Sequence, residues 1–453
     1  MSDQEFSNET TRLVHLVSQG EVSEALHLLQ TMPYREATRA LLRLSPELRQ
    51  GLLTNLDPAE AAEVVEHLPE AEAVEVVQQI PSEKAAAILE ELPSDESADL
   101  ISEMESGKAE SILSEMDPEE AAEARSLIQY EEDEAGGLMV TEYLKFKEEM
   151  TVSELVADLK EKAEIYSSYD VQYIYVIDHS QKLVGVLRLR DLLLSPGKVR
   201  ISNLMINNPL AVLHKDSLER VEEFFEEHHY EGTPVVDDQG RLVGVVQRSD
   251  LEAAVSHRNE SQYLKAQGIV GGEELRTMPL GVRSRRRLSW LSVNIVLNVI
   301  AASVIAFYQD TLAAAISLAV FLPIISDMSG CSGNQAVAVS MRELSLGLVK
   351  PSEMFHVLRK EFAVGLINGL ALGLLLGGVA YLWKGSLFLS LVISGAMMVN
   401  TVIAVGIGGA VPLLLRRFGK DPALASGPIL TTVTDICGFF LVLGGASLVI
   451  SRI

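Results

Sequence analysis

Residues 283–308 read RSRRRLSWLSVNIVLNVIAASVIAFY: a cluster of arginines, then Leu288–Tyr308 with no charged side chain at all. About 20 apolar residues are enough to cross ~30 Å of hydrocarbon as a helix. Four more stretches of this kind follow, at Thr311–Met341, Phe362–Trp383, Leu387–Leu415 and Ile429–Ile450. The second and fourth are longer than a straight crossing needs, which permits tilt or a break inside the membrane. Basic residues in short loops set orientation. Arg283, Arg285, Arg286, Arg287, Arg342, Lys350, Arg359, Lys360, Arg416, Arg417 and Lys420 fall on one side, and Lys384 and Arg452 on the other. The bias places the N-terminal part in the cytoplasm and the C-terminus outside. Glycines crowd the third, fourth and fifth stretches, where they let helices approach closely.

The rest of the chain is of a different kind. The whole has 453 residues and a formal net charge of −26, yet a mean hydropathy of +0.20. Residues 1–135 hold 32 acids against 8 Lys and Arg, residues 136–280 hold 24 against 16, and residues 281–453 hold 7 against 13. An acidic head of this size is a poor phosphate-backbone binder, so nucleic acid is not an expected partner. Cys331 and Cys437 make neither a disulfide framework nor a zinc spacing. Met1 to Gln30 contains no apolar core of a signal peptide.

Two patterns organise the head. Leu56-Asp57-Pro58, Leu68-Pro69, Ile80-Pro81, Leu92-Pro93, Met104-Glu105 and Met116-Asp117-Pro118 recur every twelve residues. Each unit predicts a helix of about two turns, ended by a turn whose Pro starts the next, and stacked short helices predict a superhelix. Further on, Tyr175-Val176-Ile177-Asp178, Leu183–Leu187 and Asp191-Leu192 match Val235-Val236-Asp237-Asp238, Leu242–Val246 and Asp250-Leu251. Each half opens near a methionine turn, Leu138-Met139 and Leu204-Met205. The halves resemble a tandem pair of CBS domains. That resemblance implies an adenine nucleotide such as ATP as ligand, with Asp191 and Asp250 toward the ribose and Arg190 and Tyr175 beside them. Where the family usually carries Ser or Thr three residues before each Asp, this chain has Arg188 and Gln247. Glu252 to Thr277 predicts a helix joining head to membrane, interrupted at Gly268–Gly272.

Charge at membrane depth costs at least ~2.5 kcal/mol on insertion scales and marks function. Asp435 lies in Thr431-Thr432-Val433-Thr434-Asp435-Ile436, and Asp327 lies in the second stretch. Asp327 runs into Ser329-Gly330-Cys331-Ser332-Gly333-Asn334-Gln335, a polar run that predicts unwound or closely packed helix facing a wet cavity. Carboxylates, carbonyls and hydroxyls are hard ligands. Mg²⁺, which keeps much of its water and takes few direct carboxylates, suits one Asp per subunit doubled across a two-fold axis.

An acidic short-helix domain, a CBS pair, a connecting helix and five spans together resemble the MgtE-type magnesium transporters. Lys420-Asp421-Pro422-Ala423, Pro428 and Thr431–Asp435 carry the strongest local likeness. The resemblance implies a multi-domain membrane protein: an all-α superhelical domain over 1–135, an α/β CBS pair over 136–199 and 200–257, a connecting helix over 258–287, and a five-helix transmembrane domain over 288–453. It implies a homodimer in the plasma (inner) membrane of a prokaryote, not an enzyme, with Mg²⁺ as cargo. Asp435 becomes the pore acid and Asp421 the acid at the cytoplasmic mouth, with Asp327, Gly330, Asn334 and Thr431 about the pathway. Glu60, Asp95, Glu223, Glu227, Glu231, Asp250, Glu252 and Glu260 are candidates for regulatory Mg²⁺. Cys331 stands where an Asn is usual, and His257 and Arg258 where the family is more acidic. Both departures leave room for a CBS-regulated transporter of Co²⁺ or Mn²⁺ with weakened Mg²⁺ gating. An intramembrane aspartyl protease is the remote alternative, and the flanking Tyr-Asp and Gly-x-Gly-Asp contexts it needs are absent.

Overall fold

The computed structural model describes residues 3–449 apart from 132, 168, 170–172 and 277. Ile450 and Arg452, used above for the fifth span and the orientation, lie outside the described residues. The chain divides into two units, Met1–His257 and Arg258–Ile453.

The first unit opens with ten helices: α1 (Asp3–Gln19), α2 (Val22–Thr31), α3 (Tyr34–Leu41), α4 (Pro46–Asn55), α5 (Pro58–Glu66), α6 (Glu70–Gln79), α7 (Ser82–Leu89), α8 (Ser94–Ser102), α9 (Ser106–Leu113) and α10 (Pro118–Leu127). From α2 onward each begins twelve residues after the last. The period thus extends two to three units further toward the N-terminus than the sequence motif suggests. The reason is visible in the turns. Met32 and Leu44 occupy the same register as Leu68, Ile80, Leu92, Met104 and Met116, and all seven are buried. One apolar residue at each turn plugs the core while the two-turn helices supply alanine, valine and leucine from their inner faces.

Two small sheets follow, with their helices. The first sheet is β1 (Leu144–Lys147), β2 (Tyr173–Ile177), β3 (Leu183–Arg188) and β4 (Ile206–Asn207) in that order, and the second is β5 (Val212–Leu213), β6 (Gly232–Val236) and β7 (Leu242–Gln247). The helices are α11 (Val152–Glu161), α12 (Ala163–Tyr166), α13 (Leu189–Leu193), α14 (Leu218–Glu227) and α15 (Arg248–Ala266). The two halves exchange their edges. β4 comes from the segment that opens the second half but pairs with β3, Val186 opposite Ile206. Val140, which opens the first half, bridges to Val245 of β7. The methionines explain the repeated glycines. A Cβ on Gly244 would lie 2.5 Å from the Met139 sulfur, and one on Gly185 would collide with Met205.

The second unit takes in the end of α15 and then α16 (Leu280–Phe307), α17 (Gln309–Ala314), α18 (Phe321–Ser345), α19 (Met354–Lys384), α20 (Leu387–Arg417) and α21 (Pro422–Val449). The connecting helix is interrupted at Gly268–Gly272 as expected, and Thr277, its expected end, lies outside the described residues. α15 stops at Ala266, and Gly268, Gly271 and Gly272 take positive φ angles of 84°, 102° and 73° that end it. Among the described residues five helices in this unit are long and apolar enough to span a membrane: Leu280–Phe307, Ile316–Ser345, Pro351–Lys384, Leu387–Arg417 and Gly427–Val449. The long second stretch is broken, at Ala315 (φ −132°, ψ 65°) between α17 and a 3-10 turn over Ile316–Val320. The polar run after Asp327 is regular helix within α18, so close packing is the member of the expected pair that holds. A Cβ on Gly333 would meet Leu430 of α21 at 2.7 Å and the Ala404 carbonyl of α20 at 2.9 Å.

Candidate ion pathway and regulatory cluster

α18 presents two different faces. Ile325, Ser329, Ser332, Gly333 and Ala336 are buried against the other helices. Asp327, Cys331, Asn334 and Gln335 are exposed. Their spacing of four, three and one residues puts them on one stripe of the helix. Gly330, counted above among pathway residues, is buried instead.

Asp435 lies on α21, half-buried, and Ser326 Oγ of α18 donates to its Oδ1. Ser326 immediately precedes Asp327, so the two membrane acids flank one turn of α18. Asp435 has Ser326 as its partner rather than Asp327, which is not the shared-proton arrangement of an aspartyl dyad. Thr431, one turn before Asp435, is exposed, and its hydroxyl donates back to the Gly427 and Pro428 carbonyls. Asp421 starts α21. Its Oδ1 accepts from the Ala423 amide at 2.8 Å, and its Oδ2 lies 3.4 Å from Lys265 Nζ on α15. Asp421 is thus paired with a cation near the end of α15.

In the first unit a second set of carboxylates gathers around the start of α8. Glu142 accepts from the Ser94 amide at 3.0 Å and from its hydroxyl at 2.8 Å, and so ties the helix to the CBS pair. Asp95 and Glu96 form the first turn. Burial, then the charge on Asp250 at the start of α15, pushes the Asp95 carboxyl up to about 7. Desolvation, then Glu66 and Asp250, pushes Glu96 up to about 7 as well. Asp95 Oδ1 is buried with no hydrogen-bond partner among the described residues. Like charges held this close favour a bound cation or a proton.

Of the regulatory candidates, Asp95 and Asp250 come together. Glu60, Glu223, Glu227, Glu231, Glu252 and Glu260 are exposed, and Glu223 pairs with Arg220 at 3.1 Å. Among the described residues no three His, Cys, Asp or Glu side chains converge as a ready metal site. Glu66, Glu96 and Glu142 were missed in the sequence, although the place of Glu96 in the first turn of a helix of the twelve-residue period was a usable signal. The nucleotide candidates separate. Tyr175 is buried, edge-on to Tyr143 at 6.0 Å, in a cleft shared with Glu142, Glu231 and Gln247. Arg190 and Asp191 pair with each other at 3.4 Å within α13, and neither lines that cleft.

A short-helix superhelix, an exchanged CBS pair and a five-span membrane unit with acids on two packed helices define a class: membrane transporters with a CBS regulatory module. Three family models match the chain: the divalent cation transporter MgtE over 322–445, the MgtE intracellular N domain over 9–89 and 32–133, and the CBS domain over 135–196 and 201–257. The magnesium transporter MgtE of Thermus thermophilus is 33% identical over 73% of this chain and 73% of its own length. That of Bacillus subtilis is 30% identical over 72% and 73%. A crystal structure of the soluble part of a magnesium transporter covers 56% of this chain and 99% of its own at 25% identity, with a TM-score of 0.50. The chain belongs to the MgtE family of magnesium transporters.

Proposed function

We propose that the chain forms a homodimer in a prokaryotic plasma membrane and lets Mg²⁺ pass down its gradient between the two copies. The observation that carries this is the polar stripe on α18. Asp327 and Asn334 are exposed on a helix that spans the bilayer, and lipid is no place for a carboxylate. A second copy facing the stripe would give it water. Asp435, half-buried beside Ser326, would then meet the hydrated ion from each subunit, with Asp421 at the mouth and the head in the cytoplasm. Regulation follows from the cluster at α8. Mg²⁺ between Asp95 and Asp250 would replace repulsion by attraction and tighten the head when the ion is plentiful. ATP or a related adenine nucleotide at the CBS pair is part of the same reading.

Cys331 on the stripe favours a second reading for cargo, in which Co²⁺ or Mn²⁺ also passes: a thiol suits Co²⁺ better than Mg²⁺, and Mn²⁺ takes the same oxygen ligands as Mg²⁺. Ion uptake into proteoliposomes tests both. Mg²⁺ uptake by the wild type and its loss in Asp435→Ala are expected, and undiminished uptake by that variant would overturn the pore assignment.

A further inference from the structure

α20 is apolar through its centre, and Asn400 interrupts it with an amide that is fully buried. The amide reaches a neighbouring helix: Asn400 Nδ2 donates to the Thr434 carbonyl of α21 at 3.1 Å. A helix carbonyl is normally hidden by its own ladder, whose donor sits four residues on. Here that residue is Gly438. A Cβ there would lie 2.8 Å from Asn400 Nδ2, so the glycine opens the slot through which the amide crosses. The bonded carbonyl belongs to the residue immediately before Asp435, and Asp435 in turn accepts from Ser326 of α18. Three helices therefore meet at one turn of α21. Asn400 Oδ1 has no hydrogen-bond partner among the described residues. A half-satisfied buried amide is a poor choice where packing alone is required.

We propose that Asn400 is a positioning residue for the ion pathway: with Gly438 it fixes the rotation of α21 and so holds Asp435 toward α18. The proposal rests on the assignment of Asp435 as the acid that meets the ion. Successive residues of a helix are about 100° apart, so a modest turn of α21 would carry the carboxylate away from the ion.

The test is Mg²⁺ uptake by the full-length protein in proteoliposomes over a range of Mg²⁺ concentrations. Gly438→Ala is the primary variant. Its methyl meets the end of one flexible side chain and otherwise ordinary contacts at 3.5 Å, so the fold accommodates it while the amide is turned out. Partners that orient a metal-binding side chain commonly account for 10- to 100-fold in affinity or activity. The expected result is an apparent KM for Mg²⁺ raised about tenfold or more, with maximal uptake unchanged. Asn400→Leu should give the same shift, and the double variant no more than either single one. Thr401→Val is the packing control. Among the described residues its buried hydroxyl bonds only to Met397 of its own helix, so KM should stay at the wild-type value. An unchanged KM in Gly438→Ala, or an equal shift in Thr401→Val, overturns the positioning role while Asp435→Ala remains inactive. Normal uptake by Asp435→Ala removes the pore assignment itself, and the positioning role with it.

Discussion

Asp95 shows how much one carboxylate can say. Its folded-state affinity for a proton lies near pH 7, raised by burial and by Asp250, against an unfolded value of about 3.9. A carboxyl raised on folding contributes stability that is complete below its unfolded value and is lost as pH climbs through the folded one. Without divalent ions the protein should therefore melt at a lower temperature at pH 8 than at pH 6. Mg²⁺ should restore the loss at pH 8, and Asp95→Asn should reduce the pH dependence, leaving the part that Glu96 contributes. Melting temperatures that ignore both pH and Mg²⁺ would contradict the cluster's regulatory role. Lys265 and Asp421 give a smaller effect. Partly exposed ion pairs are worth about 0.2–1 kcal/mol, so Lys265→Gln should raise uptake less than about fivefold, by freeing the mouth acid. At this scale the sequence exposes charges at membrane depth, because their cost there is large. It hides Asn400, because one amide in an apolar helix carries meaning only beside the glycine and the carbonyl of another helix.

Helices are legible where a period forces them. The twelve-residue spacing of Leu-Pro and Met-Asp-Pro turns announces the superhelix, and its continuation through Leu44 and Met32 follows the same rule with weaker punctuation. Helix ends set by glycine geometry are harder. α15 stops at Ala266 because three nearby glycines adopt positive φ; the sequence places an interruption among them, and the angles that end the helix show only in the fold. Contacts between membrane helices are hidden too. Gly408 of α20 looks like one of many small residues, yet a Cβ there would run into the Gly333 carbonyl of α18. Backbone cannot yield as a side-chain end can. Gly408→Ala should cost roughly 1–3 kcal/mol, read as a lower melting temperature in detergent, whereas Gly395→Ala, with open space around its added methyl, should melt as the wild type does.

The two units differ in what holds them. The head buries its apolar residues within itself, whereas α16 buries almost none of its own, with Ala301 its one buried residue among those described. A bilayer is what such a helix needs. The architecture was readable from charge and hydropathy because water and lipid select opposite compositions. The exchanged edges of the CBS halves were not, since the exchanged segments are short and alike. The most direct test of a wet, ion-occupied passage uses Cys331, which sits on the exposed stripe of α18, in a Cys437→Ala background. A charged, water-borne methanethiosulfonate should label Cys331 in the membrane-embedded protein, Mg²⁺ should slow that labelling, and Asp435→Ala should abolish the protection. A thiol that stays unlabelled in the folded protein, or is labelled at the same rate with and without Mg²⁺, would contradict an ion pathway along this face.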